Sequence, residues 1–228
     1  MSRFSRISKT SIGKKLLMSA TGLGMLGFVI GHLLGNLKVF FGPEELNSYA
    51  KWLEDHPGVT WPTRIALLLF IGTHIVQGVK LWLGNRAARP TRYVKEATLR
   101  ASFASRYMLF SGLLMLSFVA FHLAHFTFML TDPAYKSLQD AAGRHDVYLM
   151  VTTAFQNPIL AGSYMTAMAL LGLHLWHGFA SLFQTVGLNH SAYNQPVRNG
   201  AKTLVVLLVL GFWSIPVAVL FKLLPVAG

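Results

Sequence analysis

The sequence predicts an all-α fold, an integral membrane bundle of five transmembrane helices forming one domain over all 228 residues. Three observations carry that expectation. Hydrophobic residues make up 53% of the chain and charged residues only 12%, with a mean hydropathy of +0.48, which is outside the composition of ordinary soluble domains. Five apolar stretches approach or exceed the ~18–20 residues needed to cross ~30 Å of hydrocarbon as a helix. The 20 Lys and Arg against 8 Asp and Glu give +12, but the cations gather on alternate connections, as the orientation of a multi-pass chain requires.

The first charge-free stretch, 16–37, predicts a helix over about 15–40. It is too long for a signal peptide and no A-x-A-like site follows it, so it is expected to remain as a span. The second has a short core, 65–79, which Arg64 and Lys80 extend by snorkelling to a helix over about 62–84. Residues 107–131, 158–183 and 203–221 predict helices over about 106–131, 157–185 and 202–224. Gly42-Pro43, Trp61-Pro62, Asp132-Pro133, Asn157-Pro158 and Gln195-Pro196 punctuate their ends. The connections 43–61, 84–106 and 132–157 have room for amphipathic pieces but for no separate domain.

Fourteen of the cations, with Glu96 as the only acid, fall on the side of the N-terminus. The other side holds six basic and seven acidic residues. The positive-inside rule then puts the N-terminus in the cytoplasm and the C-terminus outside a cytoplasmic membrane. Most of these cations need only orient the helices and touch anionic lipid, but they also offer a docking face for a cytoplasmic partner. Nothing in this distribution calls for nucleic acid.

Six of the nine histidines, His32, His74, His122, His125, His174 and His177, lie in predicted spans, with at least one on each of the first four. An imidazole in hydrocarbon needs partners for both nitrogens, so such a residue is a site candidate. The plain alternative for any one of them is an interhelical hydrogen bond. Depth groups them. His32 follows Lys15 by 17 residues and His122 follows Arg106 by 16, which puts both ~24–26 Å from the cytoplasmic end. His74 precedes Arg86 by 12 residues and His174 precedes Gln184 by 10, so both lie ~15–18 Å from that end.

Two His pairs at two depths on alternate helices suit the axial ligation of two b-type haems, whose iron then has no open position. His125 and His177 share a helix face with His122 and His174 and are expected to contact the haem pocket or a propionate. Gly24, Gly27, Gly31, Gly35, Gly72, Gly78, Gly172 and Gly178 flank the histidines; they either admit a flat cofactor or pack helices. Ion transport is a weaker fit, because none of the acids lies in a span. With no cysteine, the chain alone holds no disulfide, Cys-ligated zinc or iron–sulfur cluster.

Several motifs together resemble the membrane cytochrome b subunit of succinate dehydrogenase and fumarate reductase, of the single-polypeptide, five-helix, di-haem type. They are the basic N-terminus leading to Gly31-His32-Leu33-Leu34-Gly35-Asn36, the segment Thr73-His74 to Gly78, Arg106 with Gly112 and Phe121-His122-Leu123-Ala124-His125, and Leu173-His174-Leu175-Trp176-His177-Gly178. The resemblance implies that His74 and His174 hold a proximal haem and His32 and His122 a distal one. It implies a flavoprotein with covalent FAD and an iron–sulfur subunit as partners on the cytoplasmic face, with menaquinone as the quinone. In that role the chain relays electrons and performs quinone redox at its surface, while succinate chemistry belongs to the partners. Some relatives carry a membrane glutamate beside the fourth-helix ligand, where this chain reads Leu170-Leu171-Gly172-Leu173. Asn36, Trp52, His56 and Arg64 on one side, and Gln77, Trp82, Arg106 and Ser111 on the other, are candidate quinone contacts, or else interface anchors and caps. The rival readings are the di-haem cytochrome of a formate dehydrogenase, hydrogenase or nitrate reductase, and a haem-free anchor or transporter.

Overall fold

The computed structural model describes residues 10–88, 107–187 and 191–224. Arg106, and the basic residues between 3 and 9 and between 89 and 100, lie outside the described residues. Helix α1 spans Ser11–Asn36. Thr10 caps it by accepting from the Gly13 amide at 3.0 Å, and a tighter turn, Leu37–Phe41, extends it. Gly42, with a φ of 99° that favours glycine, turns the chain into α2, Pro43–Asp55, which has Pro at its start and Glu44 and Glu45 in its first turn.

Helix α3, Pro57–Ala87, begins five residues before the expected Pro62 because Pro57 occupies the N-terminal position that favours proline, leaving Pro62 inside the helix. Helix α4 covers Met108–His122 and continues as one wide π turn, Leu123–Thr127. The Phe128 amide donates to the Leu123 carbonyl at 2.8 Å, and Met129 adopts a φ of 50°. The helical winding therefore stops short of the expected residue 131.

In the next connection Asp132 caps the short turn Pro133–Ser137, and Asp146 caps α5, Val147–Phe155. Asn157 accepts from the amides of Ile159 and Leu160 and opens α6, Pro158–Thr185, close to expectation. Helix α7, Ser191–Leu220, starts eleven residues before the expected 202, since the helix runs through Pro196. Arg198 and Lys202 accordingly stand on a helix.

Five of these helices, α1, α3, α4, α6 and α7, are long and apolar enough to cross a membrane, so the chain is a multi-pass membrane protein in architecture. Among the described residues there is no strand, only an isolated bridge between Gln139 and His145. Helix α1 packs on α3 and α6, α4 packs on α6, and α7 lies against α6 and α1. The main core sits at the end closed by α2 and α5, where Val39, Leu46, Tyr148, Phe155, Tyr164 and Ile215 meet. Helix α3 contributes no buried residue, and many large apolar side chains on all five spans face outward, as lipid contact demands.

Polar bonds stitch the closed end together. The Arg144 guanidinium bonds Glu44 at 2.6 Å and Asp140 at 2.8 Å. Beneath it the buried Asn47 donates to Asp146 at 2.9 Å and to Asp140 at 3.3 Å, and accepts from the Tyr148 amide at 2.9 Å. The hydrogen bond from Arg144, aided by one from Ser48, holds the Glu44 carboxyl at about 2 against an ordinary 4.5. A depressed carboxyl pKa contributes stability that is present above 4.5 and lost as pH falls through about 2. The protection factors of residues 44–55 against hydrogen exchange are therefore expected to fall across that window, and Arg144→Gln should flatten the dependence. The tie is partly screened because the Glu44 side chain is 75% exposed.

Candidate functional site

The histidines meet as pairs across the bundle. His32 on α1 faces His122 on α4 with ring centroids 5.8 Å apart and an interplanar angle of 80°. His74 on α3 faces His174 on α6 at 6.3 Å and 54°. Two imidazoles bound on opposite sides of one metal by bonds of about 2 Å have centroids about 6.4 Å apart. Both pairs thus stand at, or a few tenths of an ångström inside, the span of a bis-imidazole centre, and they are drawn from alternate helices.

A ligand imidazole needs its other nitrogen held by an acceptor, which fixes tautomer and ring orientation. His74 Nδ1 lies 3.1 Å from the Met18 carbonyl and 3.3 Å from Thr21 Oγ1. Thr21 sends its own proton to the Leu17 carbonyl at 2.8 Å, so it accepts from the ring and Nε2 is left bare. His174 Nδ1 lies 3.0 Å from Ser111 Oγ, which donates onward to the Met108 carbonyl at 3.0 Å. The same logic leaves His174 Nε2 bare. Ser111, expected as a candidate quinone contact, is bonded to this histidine.

At the other pair His122 Nδ1 lies 3.4 Å from the Tyr164 hydroxyl. His32 differs. Asn36 donates from Nδ2 to the His32 carbonyl at 2.6 Å and presents that same amide nitrogen to His32 Nδ1 at 3.3 Å. A donor there puts the ring proton on Nε2, so ligation by His32 requires the Asn36 amide to turn and offer Oδ1. That rotation gives up the 2.6 Å bond from Asn36 to the His32 carbonyl; with it, each pair of histidines stands at a separation that suits a bis-histidine haem. The aromatic rings of Phe28, Phe212, Phe118 and Phe126 surround His32 and His122 and lower the local dielectric.

His125 is 2% exposed, and its Nδ1 meets the Tyr164 hydroxyl at 2.8 Å. His177 pairs through Nε2 with Ser181 one turn on, at 3.1 Å. The glycines divide between the two roles open to them. A methyl at Gly35 would come within 2.7 Å of Tyr49, one at Gly172 within 2.8 Å of Val209, and one at Gly24 would collide with Phe70. These three serve packing. Gly27, Gly31, Gly72 and Gly178 have open space where a side chain would go. Gly112, by contrast, has the His174 ring 3.7 Å from the place of its missing Cβ.

The remaining quinone candidates are dispersed. His56 stacks on Trp52 at 4.3 Å and bonds its carbonyl at 2.7 Å; Arg64 lies over Trp61 at 5.3 Å and Arg86 over Trp82 at 5.5 Å. Gln77 stands apart, because its Oε1 is buried and, among the described residues, has no partner, beside a shallow groove that includes Gly72 and Thr73. Among the described residues no group of three or more His, Asp and Glu side chains is placed to hold a bare metal ion, whereas a bis-histidine haem takes two. Comparison with protein-family models, with curated proteins and with solved structures returns no match.

Proposed function

We propose that this chain is the haem-bearing, quinone-linked cytochrome b anchor of a succinate:quinone oxidoreductase in a cytoplasmic membrane, with its N-terminus inside. One observation carries the reading. Four histidines from four spans meet as two facing pairs, with Nδ1 of His74 and of His174 held by acceptors. A haem held at each pair would supply a one-electron carrier suited to relay.

The chain's own residues do the rest. His74 and His174 hold one site, His32 and His122 the other; Met18, Thr21 and Ser111 aim the first pair, and the phenylalanines around the second keep water from it. Gln77 Oε1, a buried acceptor without a partner among the described residues, suits the hydroxyl of a quinol, and menaquinol is the quinol proposed. FAD and iron–sulfur clusters belong to the flavoprotein and iron–sulfur partners, which the basic N-terminal face would receive. Haem quantification with reduced-minus-oxidised spectra on the purified complex tests this. Two six-coordinate b haems per chain are expected, and fewer than two would refute the ligand assignment. The subunits that copurify separate a succinate enzyme from a formate dehydrogenase, hydrogenase or nitrate reductase.

A further inference from the structure

We infer that Tyr164 is a positioning residue for the His32/His122 centre, fixing the tautomer of His122 and, through a relay to His125, lowering the reduction potential of the haem held there. The inference rests on the haem reading above. A phenol has one proton to give and lone pairs to accept with, yet Tyr164 reaches two imidazole nitrogens, His125 Nδ1 at 2.8 Å and His122 Nδ1 at 3.4 Å. It can donate to only one. A histidine that ligates through Nε2 carries its proton on Nδ1, so His122 donates to the Tyr164 oxygen. The phenol proton then goes to His125 Nδ1, across the shorter of the two contacts. That assignment satisfies all three groups.

Their placement depends on the local winding. His122 ends α4, His125 lies in the π turn that follows it, and Tyr164 stands on α6. Tyr164 is 7% exposed, enclosed by the rings of Phe118, Phe121, Phe126 and Phe155. In so dry a setting two hydrogen bonds running in the same sense strengthen each other. Donation from Nδ1 raises the basicity of the imidazole and stabilises ferric iron over ferrous. Among the described residues the other pair shows no such relay, since Ser111 passes its proton to the Met108 carbonyl and Thr21 to the Leu17 carbonyl. The two centres are therefore unequal by construction.

Redox titration of the holo complex tests the inference, comparing wild type with Tyr164→Phe, His125→Phe and the double variant. Both haems should stay bound in Tyr164→Phe, with the potential of one haem shifted upward and the other unmoved. His125→Phe should shift the same haem upward by less, and the double variant should match Tyr164→Phe. If neither potential moves, or both move together, the inference is overturned. Should Tyr164→Phe lose haem, His125→Phe decides by the same criterion. Failure of the haem reading itself is distinguishable, because the wild-type complex would then hold fewer than two haems.

Discussion

His74→Ala is expected to halve the haem content of the complex while leaving the second haem spectrally intact. The substitution removes one of two axial nitrogens, and the imidazole of His174 alone would have to hold the iron. Little else should change. The Met18 carbonyl that receives the His74 Nδ1 proton lies inside α1 and keeps its place in the helical ladder, so no backbone group is orphaned. His174→Ala should give the same loss, and the double variant no greater one, because each single change already empties the same site. Pyridine haemochrome quantification with low-temperature spectra reads the result. An unchanged spectrum would remove His74 from the ligand set, and loss of both haems would deny the independence of the two pairs.

Asn47→Ala should loosen the closed end of the bundle by about 3 kcal/mol, since it strands a buried amide and a buried carboxylate oxygen together. Asn47 is 1% exposed. Its Nδ2 reaches Asp146 and Asp140, and its Oδ1 takes the Tyr148 amide. No water can replace these partners at such burial without opening the contact between α2 and α5. Thermal unfolding in detergent, with limited proteolysis across residues 132–157, measures the effect. Asn47→Asp keeps the acceptor for Tyr148 but sets a charge against Asp146 and Asp140, so it should be no less damaging. A variant as stable as the wild type would show the cap to be held by the apolar contacts of Leu46 and Tyr148 alone.

The spans were legible because charge and length decide membrane crossing before packing does, and the His pairing was legible because a helix converts residue counts into depth. The ends were less so. Pro62 read as a helix start and Pro196 as part of the break before the last span, yet both lie inside helices, where a proline costs one bond and the surrounding turns outweigh it. The cap of α2 and α5 stayed hidden because its bonds join residues about 100 apart, such as Arg144 to Glu44. Ser111 read as a candidate quinone contact, interface anchor or cap, and only its 3.0 Å distance to His174 tied it to the histidine. Tyr164 escaped for a different reason. It lies ten residues along α6 from His174, or ~15 Å, toward the depth of His122 and His125. Depth arithmetic applied to every polar residue, and not to histidines alone, would have found it.

The bare second span carries one more consequence. No residue of helix α3 is fully buried, and lipid gives two helices no hydrophobic reason to choose one alignment over another. Its height against α1 is set by a row of notches. Phe70 sits over Gly24, His74 over Gly22, and Met18 under Gly78. The residue numbers rise on one helix as they fall on the other, so sliding by one turn, ~5.4 Å, would drive each ring out of its notch and part His74 from the Met18 carbonyl. The histidine thereby acts as a mechanical detent, and the same side chain that would grip iron also stops the two helices from slipping.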